Sequence, residues 1–405
     1  MPLPLEGVKV LEFTQRLYGP RAGVHLAEMG ADSIKIEVPE GGDPIRGFMN
    51  PSYGGDLPRT GKLNFMFEME NHDKRSITLN LKNPKGQEIA HKLIKQSDVF
   101  LTNFQPDSLR RIKMDYDTLS QINPRLIYAI GSGWGIIGPD KDRPGYDFVA
   151  FAASGLMHTM GQPGSPPVCC RPGMGDHFTS VMLAYAIMVA LYYREKSGVG
   201  QMVHVGLLAG LIEGGIAALA SHLATGSEVE RVDRRSADNA FWNFYEVKGG
   251  DWIQFAMPNS DQYWDAICRT LAIEQCRHDK RFDIQAHRRE NTREFIQILD
   301  KAMLAHTRSE WEALLKPSGL VYGWVDSYAQ LAKNPQVRAN DWIVDFDHPT
   351  VGKVPVVGVL PQLSKTPGKI RKPSPGLGEH NEGILLELGY SKVDVARLKE
   401  NGAIG

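Results

Sequence analysis

The stretch RPGMGDHFTS, residues 171–180, sets a carboxylate, Asp176, after a Gly-Met-Gly step and ahead of a largely apolar run ending in LYYREKSG. Two kinds of chemistry fit that placement. Asp is a favoured N-cap, because its side chain accepts from the orphan N–H groups of a helix's first turn. The same position suits a nucleophile. A helix N-terminus favours the anion, and the flanking Gly175 leaves room for a substrate close to the backbone. Spacing leaves both readings open. His177 lies too close in sequence to serve as a catalytic partner, since consecutive helical residues point apart, and reads as a local packing or polar residue.

Other patterns are narrower. The glycine loop GSGWGIIG, residues 131–138, follows an apolar run expected to be a strand. Ligands of open α/β sheets sit at the carboxyl ends of strands, so the loop is well located, but it lacks the Lys-Ser/Thr of a phosphate-binding P-loop. The opening turn FTQRLYGP carries one glycine, Gly19, where a dinucleotide fingerprint needs three. No nicotinamide or flavin is therefore expected, and Glu37 reads as structural. There is no G-x-S-x-G elbow, no HExxH and no His/Cys cluster, so no metal is expected either.

The elements that must position these residues alternate in the first half. VKVLEF, SIKIE, DVFLTNF, RLIYAIG and GQMVHVGLL read as strands. GPRAGVHLAEMG, NPKGQEIAHKLIKQS, YDTLSQI and a helix from Asp176 to about Arg194 lie between them, and AGLIEGGIAALASHLATG reads as one long helix after the last strand. Strands separated by helices imply a parallel sheet covered on both faces, an α/β fold. The polar stretch 227–240 marks a change of character. The following hundred residues mix short strands with charged helices, including capping-box patterns at Thr307/Glu310 and Ser327/Gln330. Three segments are expected: 1–225, a large α/β part; 226–330, a smaller α+β unit; and 331–405, a linker and a final helical pair. Residues 345–375, rich in Pro and Gly, are expected to be extended.

Composition bounds the rest. The 405 residues are 42% hydrophobic and 23% charged, with a net charge of −1, which gives no general electrostatic case for nucleic acid or an anionic membrane surface. The longest apolar run, Val181–Tyr193, is shorter than the roughly 20 residues a bilayer requires. The N-terminus has no signal-peptide pattern. Cys169, Cys170, Cys268 and Cys276 have no metal spacing and read as reduced thiols, and a cytoplasmic protein is expected.

Taken together, the fragments LEGVKVLEFTQRLYGPRAGVHLAEMGADSIKIEVPEGGDPIRG, KRSITLNLKNPKGQEI, DVFLTNFQPDSLRRI, NPRLIYAIGSGWG, RPGYDF, GMGDHFTS, SGVGQMVHVGLL and LGEHNEGILLELGY resemble, in order and nearly end to end, the class III (CaiB/BaiF-type) CoA-transferases. The resemblance implies an enzyme that moves coenzyme A from an acyl-CoA to a carboxylate. Asp176 would be the nucleophile, passing through an aspartyl anhydride and an aspartyl-CoA thioester, and would cap its helix as well. It further implies CoA contacts at Asn103, Phe104, Arg111, Lys82, Gln15 and Arg16. Phe48, Trp134 and Tyr146 would line the substrate pocket. A Rossmann-like large domain built from both chain ends, a smaller α+β domain and an interlocked-ring homodimer also follow from it, with a heteromeric partner left open. Leu17 and Phe48 stand where the formyl-CoA branch has Gln and Trp, and RRSADNAFWNFYEV lacks that branch's glycine lid. GPDKDRPGYDF and GMGDH look closer to the aryl-lactate, 2-hydroxyacyl and benzylsuccinate branch, so an aromatic or branched carboxylic acid, including 2-hydroxy acids, is the expected acceptor. In the related α-methylacyl-CoA racemases a His precedes the Asp of the GYD motif; Tyr146 stands there, and Tyr is a poor base at neutral pH. A non-catalytic CoA-ester-binding subunit is a third reading, against which the retained Asp176 counts.

Overall fold

The computed structural model describes residues 2–47 and 63–405. Six short strands, β1 (Lys9–Phe13), β2 (Asp32–Glu37), β3 (Lys74–Thr78), β4 (Val99–Thr102), β5 (Ile127–Ser132) and β6 (Gln201–Gly206), form one sheet in the order β3-β2-β1-β4-β5-β6. All five pairings are parallel. The strand order turns back on itself between β1 and β4, and their last residues, Phe13 and Thr102, are register partners. In doubly wound sheets a ligand crevice opens at that point.

Alternation along the strands feeds two cores. On one face Leu11, Phe13, Ile36 and Ile77 pack with Ile89 and Leu93 of the Pro84–Gln96 helix and with Ile384, Leu385, Leu398 and Ile404 from the chain's end. On the other face Val10, Leu101 and Ile127 pack with Ala22 and Leu26 of the Tyr18–Glu28 helix and Leu183 and Ile187 of the Met174–Ser197 helix. One compact unit comprises 1–157, 169–227 and 336–405; the other comprises 158–168 and 228–335. The second unit holds a three-stranded antiparallel sheet (Phe244–Glu246, Trp252–Phe255, Tyr322–Trp324) over a core that includes Phe241, Tyr245, Phe255, Phe295 and Trp311. Both capping boxes form, at Thr307/Glu310 and Ser327/Gln330.

Three local expectations need correction. The stretch expected as one helix after β6 is two, Leu207–Gly214 and Ile216–Thr225, bent by 77° at Gly215. Within 345–375 the chain is not simply extended, because Ile343–His348 and Gly352–Val357 pair as an antiparallel hairpin. The Met174–Ser197 helix is longer than its apolar run and passes, by length and composition, as long enough to cross a membrane. One side of it nevertheless packs into the core through Leu183, Ile187, Ala190 and Leu191, while Tyr185, Met188, Val189 and Tyr192 are exposed.

Candidate active site

The ends of β1, β4 and β5 open into a cavity of 440 Å³. Gln15–Tyr18 follow β1, Asn103–Gln105 follow β4, and Gly131–Gly133 close β5; Gly145–Val149, Gly173, Asp176 and Leu207 complete its wall. Across the switch point the two loops clasp each other. The Gln15 N–H donates to Asn103 Oδ1 at 3.0 Å, and Asn103 Nδ2 donates to the Gln15 carbonyl at 2.9 Å. Phe104 stacks on Phe13, with centroids 4.1 Å apart and planes 2° from parallel. Asn103 and Phe104 therefore hold the floor through their own side-chain contacts.

Arg16 has φ = 65°, a left-handed conformation uncommon outside Gly and Asn. Its N–H donates to Asp43 Oδ1 at 3.0 Å, and Asp43 Oδ2 lies 2.9 Å from Lys35 Nζ, with both of those side chains wholly buried. Beside them Lys74 donates to Glu12 Oε2 at 2.9 Å, also fully buried. Burial acts to lower both ammonium pKa values. Asp43 and Glu12 outweigh it at Lys35, which ends raised, whereas Lys74 is left at about 8. Glu37, at the end of β2, accepts two hydrogen bonds from Arg46, each 2.7 Å, and one from Ser76. Its carboxylate is occupied within the fold, in line with a structural role.

Asp176 does not cap its helix. The N-cap is Gly173, in the left-handed region at φ = 85°, and Asp176 is the third residue of the first turn. The cap comes from elsewhere: Asp147 accepts from the Gly173 N–H at 2.6 Å and the Gly175 N–H at 2.9 Å. Gly175 is thus required by Asp147, not by a substrate, since a Cβ there would lie 2.3 Å from Asp147 Oδ1. Burial and the Asp147 carboxylate act against the expectation that the helix end favours the Asp176 anion. Burial first, and Asp147 second, raise its pKa to about 7, against the pull of His177 and Arg16. His177 makes a local polar contact, its Nε2 lying 2.8 Å from Oε1 of the buried Glu70.

Of the residues named from the sequence, Asp176, Gln15, Arg16, Asn103, Phe104 and Tyr146 share the cavity wall. Trp134 does not stand on it: its indole N–H donates to the Pro144 carbonyl at 3.1 Å and Arg143 lies over its ring, so it clamps the glycine loop to the following turn. Lys82 and Arg111 are exposed and off the wall, and Arg111 donates to Ser108 within its own short helix. Phe48 lies outside the described residues. Among the described residues no three His, Cys, Asp or Glu side chains group to hold a metal. Sequence reasoning passed over Asp147, Phe148 and Tyr18, whose hydroxyl donates to the Val205 carbonyl at 2.8 Å. The signal for Asp147 was an acidic residue opening an apolar turn directly after Tyr146.

Comparison with known proteins agrees in family. The sequence model described as CoA-transferase family III matches residues 5–381. The chain is 32% identical to a cinnamoyl-CoA:phenyllactate CoA-transferase of Clostridium sporogenes, covering 98% of this chain and 96% of the relative. It is also 32% identical to the succinyl-CoA:glutarate CoA-transferase of Homo sapiens, over 99% and 90%. A CAIB/BAIF family protein from Brucella suis superposes with a TM-score of 0.84 at 30% identity, over 96% of this chain and all of that one.

Proposed function

The chain belongs to CoA-transferase family III and is an enzyme of that type, and from this premise we propose that it exchanges CoA between an acyl thioester and a carboxylate through covalent intermediates on Asp176. The Asp176 carboxylate attacks the donor's thioester carbonyl and expels CoA thiolate, leaving a mixed anhydride. The thiolate then attacks the aspartyl carbonyl, releasing the donor's carboxylate and leaving an aspartyl-CoA thioester. The acceptor carboxylate attacks that thioester, and the thiolate, expelled again, takes the new acyl group and restores Asp176. One thioester replaces another, so no nucleotide is consumed. Anhydride and thioester intermediates hydrolyse if water reaches them, which is why a walled cavity matters.

The observation that carries this reading is a half-buried Asp176 at the wall of the cavity, with the Gly173 and Gly175 amides of its helix start already taken by Asp147. Its carboxylate is therefore not consumed in capping. Phe104, Tyr146, Phe148, Val149 and Leu207 give the wall an apolar, partly aromatic character. That supports an aromatic or branched carboxylic acid, including 2-hydroxy acids, as acceptor. The relative from Clostridium sporogenes acts on phenyllactate by its name, and the human one on glutarate, so both acceptor types belong in the assay. An interlocked homodimer and a cytoplasmic location are part of the same proposal; the exposed apolar side of the Met174–Ser197 helix supports a second copy, and sedimentation velocity tests it.

The test is intact-mass analysis after exposure to acetyl-, succinyl- and cinnamoyl-CoA, with hydroxylamine as trap and peptide mapping of the adduct. Asp176 is expected to carry it, and Asp176→Ala to lose both adduct and exchange by about a thousandfold or more. Exchange that persists in Asp176→Ala would sink the aspartyl route.

A further inference from the structure

Any acceptor in this reaction is a carboxylate, and it must reach Asp176, then a neutral CoA thioester, past the Asp147 carboxylate on the same wall. Two like charges at close range in a partly desolvated cavity repel strongly, so a cation is needed to bring the acceptor in. Among the described residues lining the cavity, Arg16 is the one cation. No carboxylate among the described residues lies within ion-pair distance of its guanidinium, which instead sits over the Tyr146 ring, 5.3 Å from the centroid. The backbone beneath is held in the left-handed region by Asp43, itself tied to the buried Lys35. Strain of this kind persists only where surroundings over-determine it, and it is commonest at binding sites. Held so, Arg16 projects a planar fork of donors, stacked on an aromatic face, beside the nucleophile.

We propose that Arg16 is the dock for the reacting carboxylate, acceptor or departing acid, and not a ligand of a CoA phosphate. The inference rests on the cavity being the site of CoA transfer. The guanidinium receives the acid's two oxygens and offsets the charge of Asp147. The Tyr146 ring fixes the plane in which the acid is offered to the aspartyl carbonyl.

The experiment is steady-state thioester exchange by wild-type protein, Arg16→Gln and Arg16→Lys. Succinyl- and cinnamoyl-CoA serve as donors, and 3-phenylpropanoate, 3-methylbutanoate and glutarate as acceptors. Arg16→Gln is expected to raise the KM of every acceptor, and the inhibition constant of the product acid, by about ten- to a hundredfold. The KM for acyl-CoA stays within about twofold, and Arg16→Lys recovers part of the loss. A rise confined to the acyl-CoA KM would return Arg16 to the CoA phosphates. A loss confined to glutarate would put it on a distal carboxylate. Parallel rises in both KM values, or no change in either, would equally overturn the proposal. Adduct formation on wild-type Asp176 is followed alongside: exchange without an adduct counts against the aspartyl route, while the split in KM still judges Arg16.

Discussion

At the scale of single residues the site turns on two carboxylates with different duties. Asp147 holds the helix start and Asp176 faces the cavity, so the charge of the first penalises the charge of the second. Asp176 attacks only as its anion, and its pKa lies at about 7. Single-turnover charging should therefore fall as pH drops through about 7, and Asp147→Asn should move that midpoint downward by removing a neighbouring negative charge. A stopped-flow pH series checks both. The same shift has a sign for stability. A carboxyl whose folded pKa is raised above its unfolded value near 3.8 destabilises the fold progressively as pH rises from about 4 to about 7. Asp176→Asn should then melt higher than wild type at pH 8, by about 2 °C, and no higher at pH 4. Little of this was legible in the sequence, where Asp176 read as both cap and nucleophile. Capping by Asp147 joins residues 147 and 173–175, which no local pattern links.

At the scale of elements, the Met174–Ser197 helix must start close against the turn that carries Asp147. Gly175 permits that contact. Gly175→Ala should cost about 1–3 kcal/mol through overpacking and should slow exchange together with stability, read by urea melts and kcat. Five of the six strands and most helices of the first half were legible because short apolar runs and capping residues announce them locally, whereas β3, KRSIT, was missed because it opens on two basic residues and has no apolar run. Thr307/Glu310 is a case where sequence and structure coincide atom for atom. What stayed hidden were pairings between elements. Glu12 on β1, Lys35 on β2 and Lys74 on β3 face inward as buried ion pairs, Lys74 with Glu12 across the sheet and Lys35 with Asp43 of a loop. Opposite charges recurring inside adjacent apolar strands were the available signal. The break at Gly215 was hidden for another reason, because glycines within an apolar helical run are compatible with either a continuous or a bent course.

At the scale of the whole molecule, the large unit's sheet core is completed by the last residues of the chain. Ile384, Leu385, Leu398, Ala403 and Ile404 are all buried in it, and Asn381 Nδ2 donates to Thr78 Oγ1 at 2.8 Å beside the end of β3. Each of the Ile and Leu side chains contributes about 1.5–3 kcal/mol when fully buried. Deletion of residues 381–405 should therefore abolish cooperative thermal unfolding, monitored by calorimetry. The family was legible at this scale because ordered fragments run from one end of the chain to the other, whereas the return of 336–405 to the first unit left no mark in composition. That return also has a consequence in time. During synthesis, at about 5–20 residues per second, roughly ten to thirty seconds separate the emergence of β6 from that of residue 381. Through that interval Ile77 and Ile89 wait on the ribosome without their partners, so the nascent chain is a natural client for chaperones, and its yield should depend on them more than on the stability of the finished enzyme.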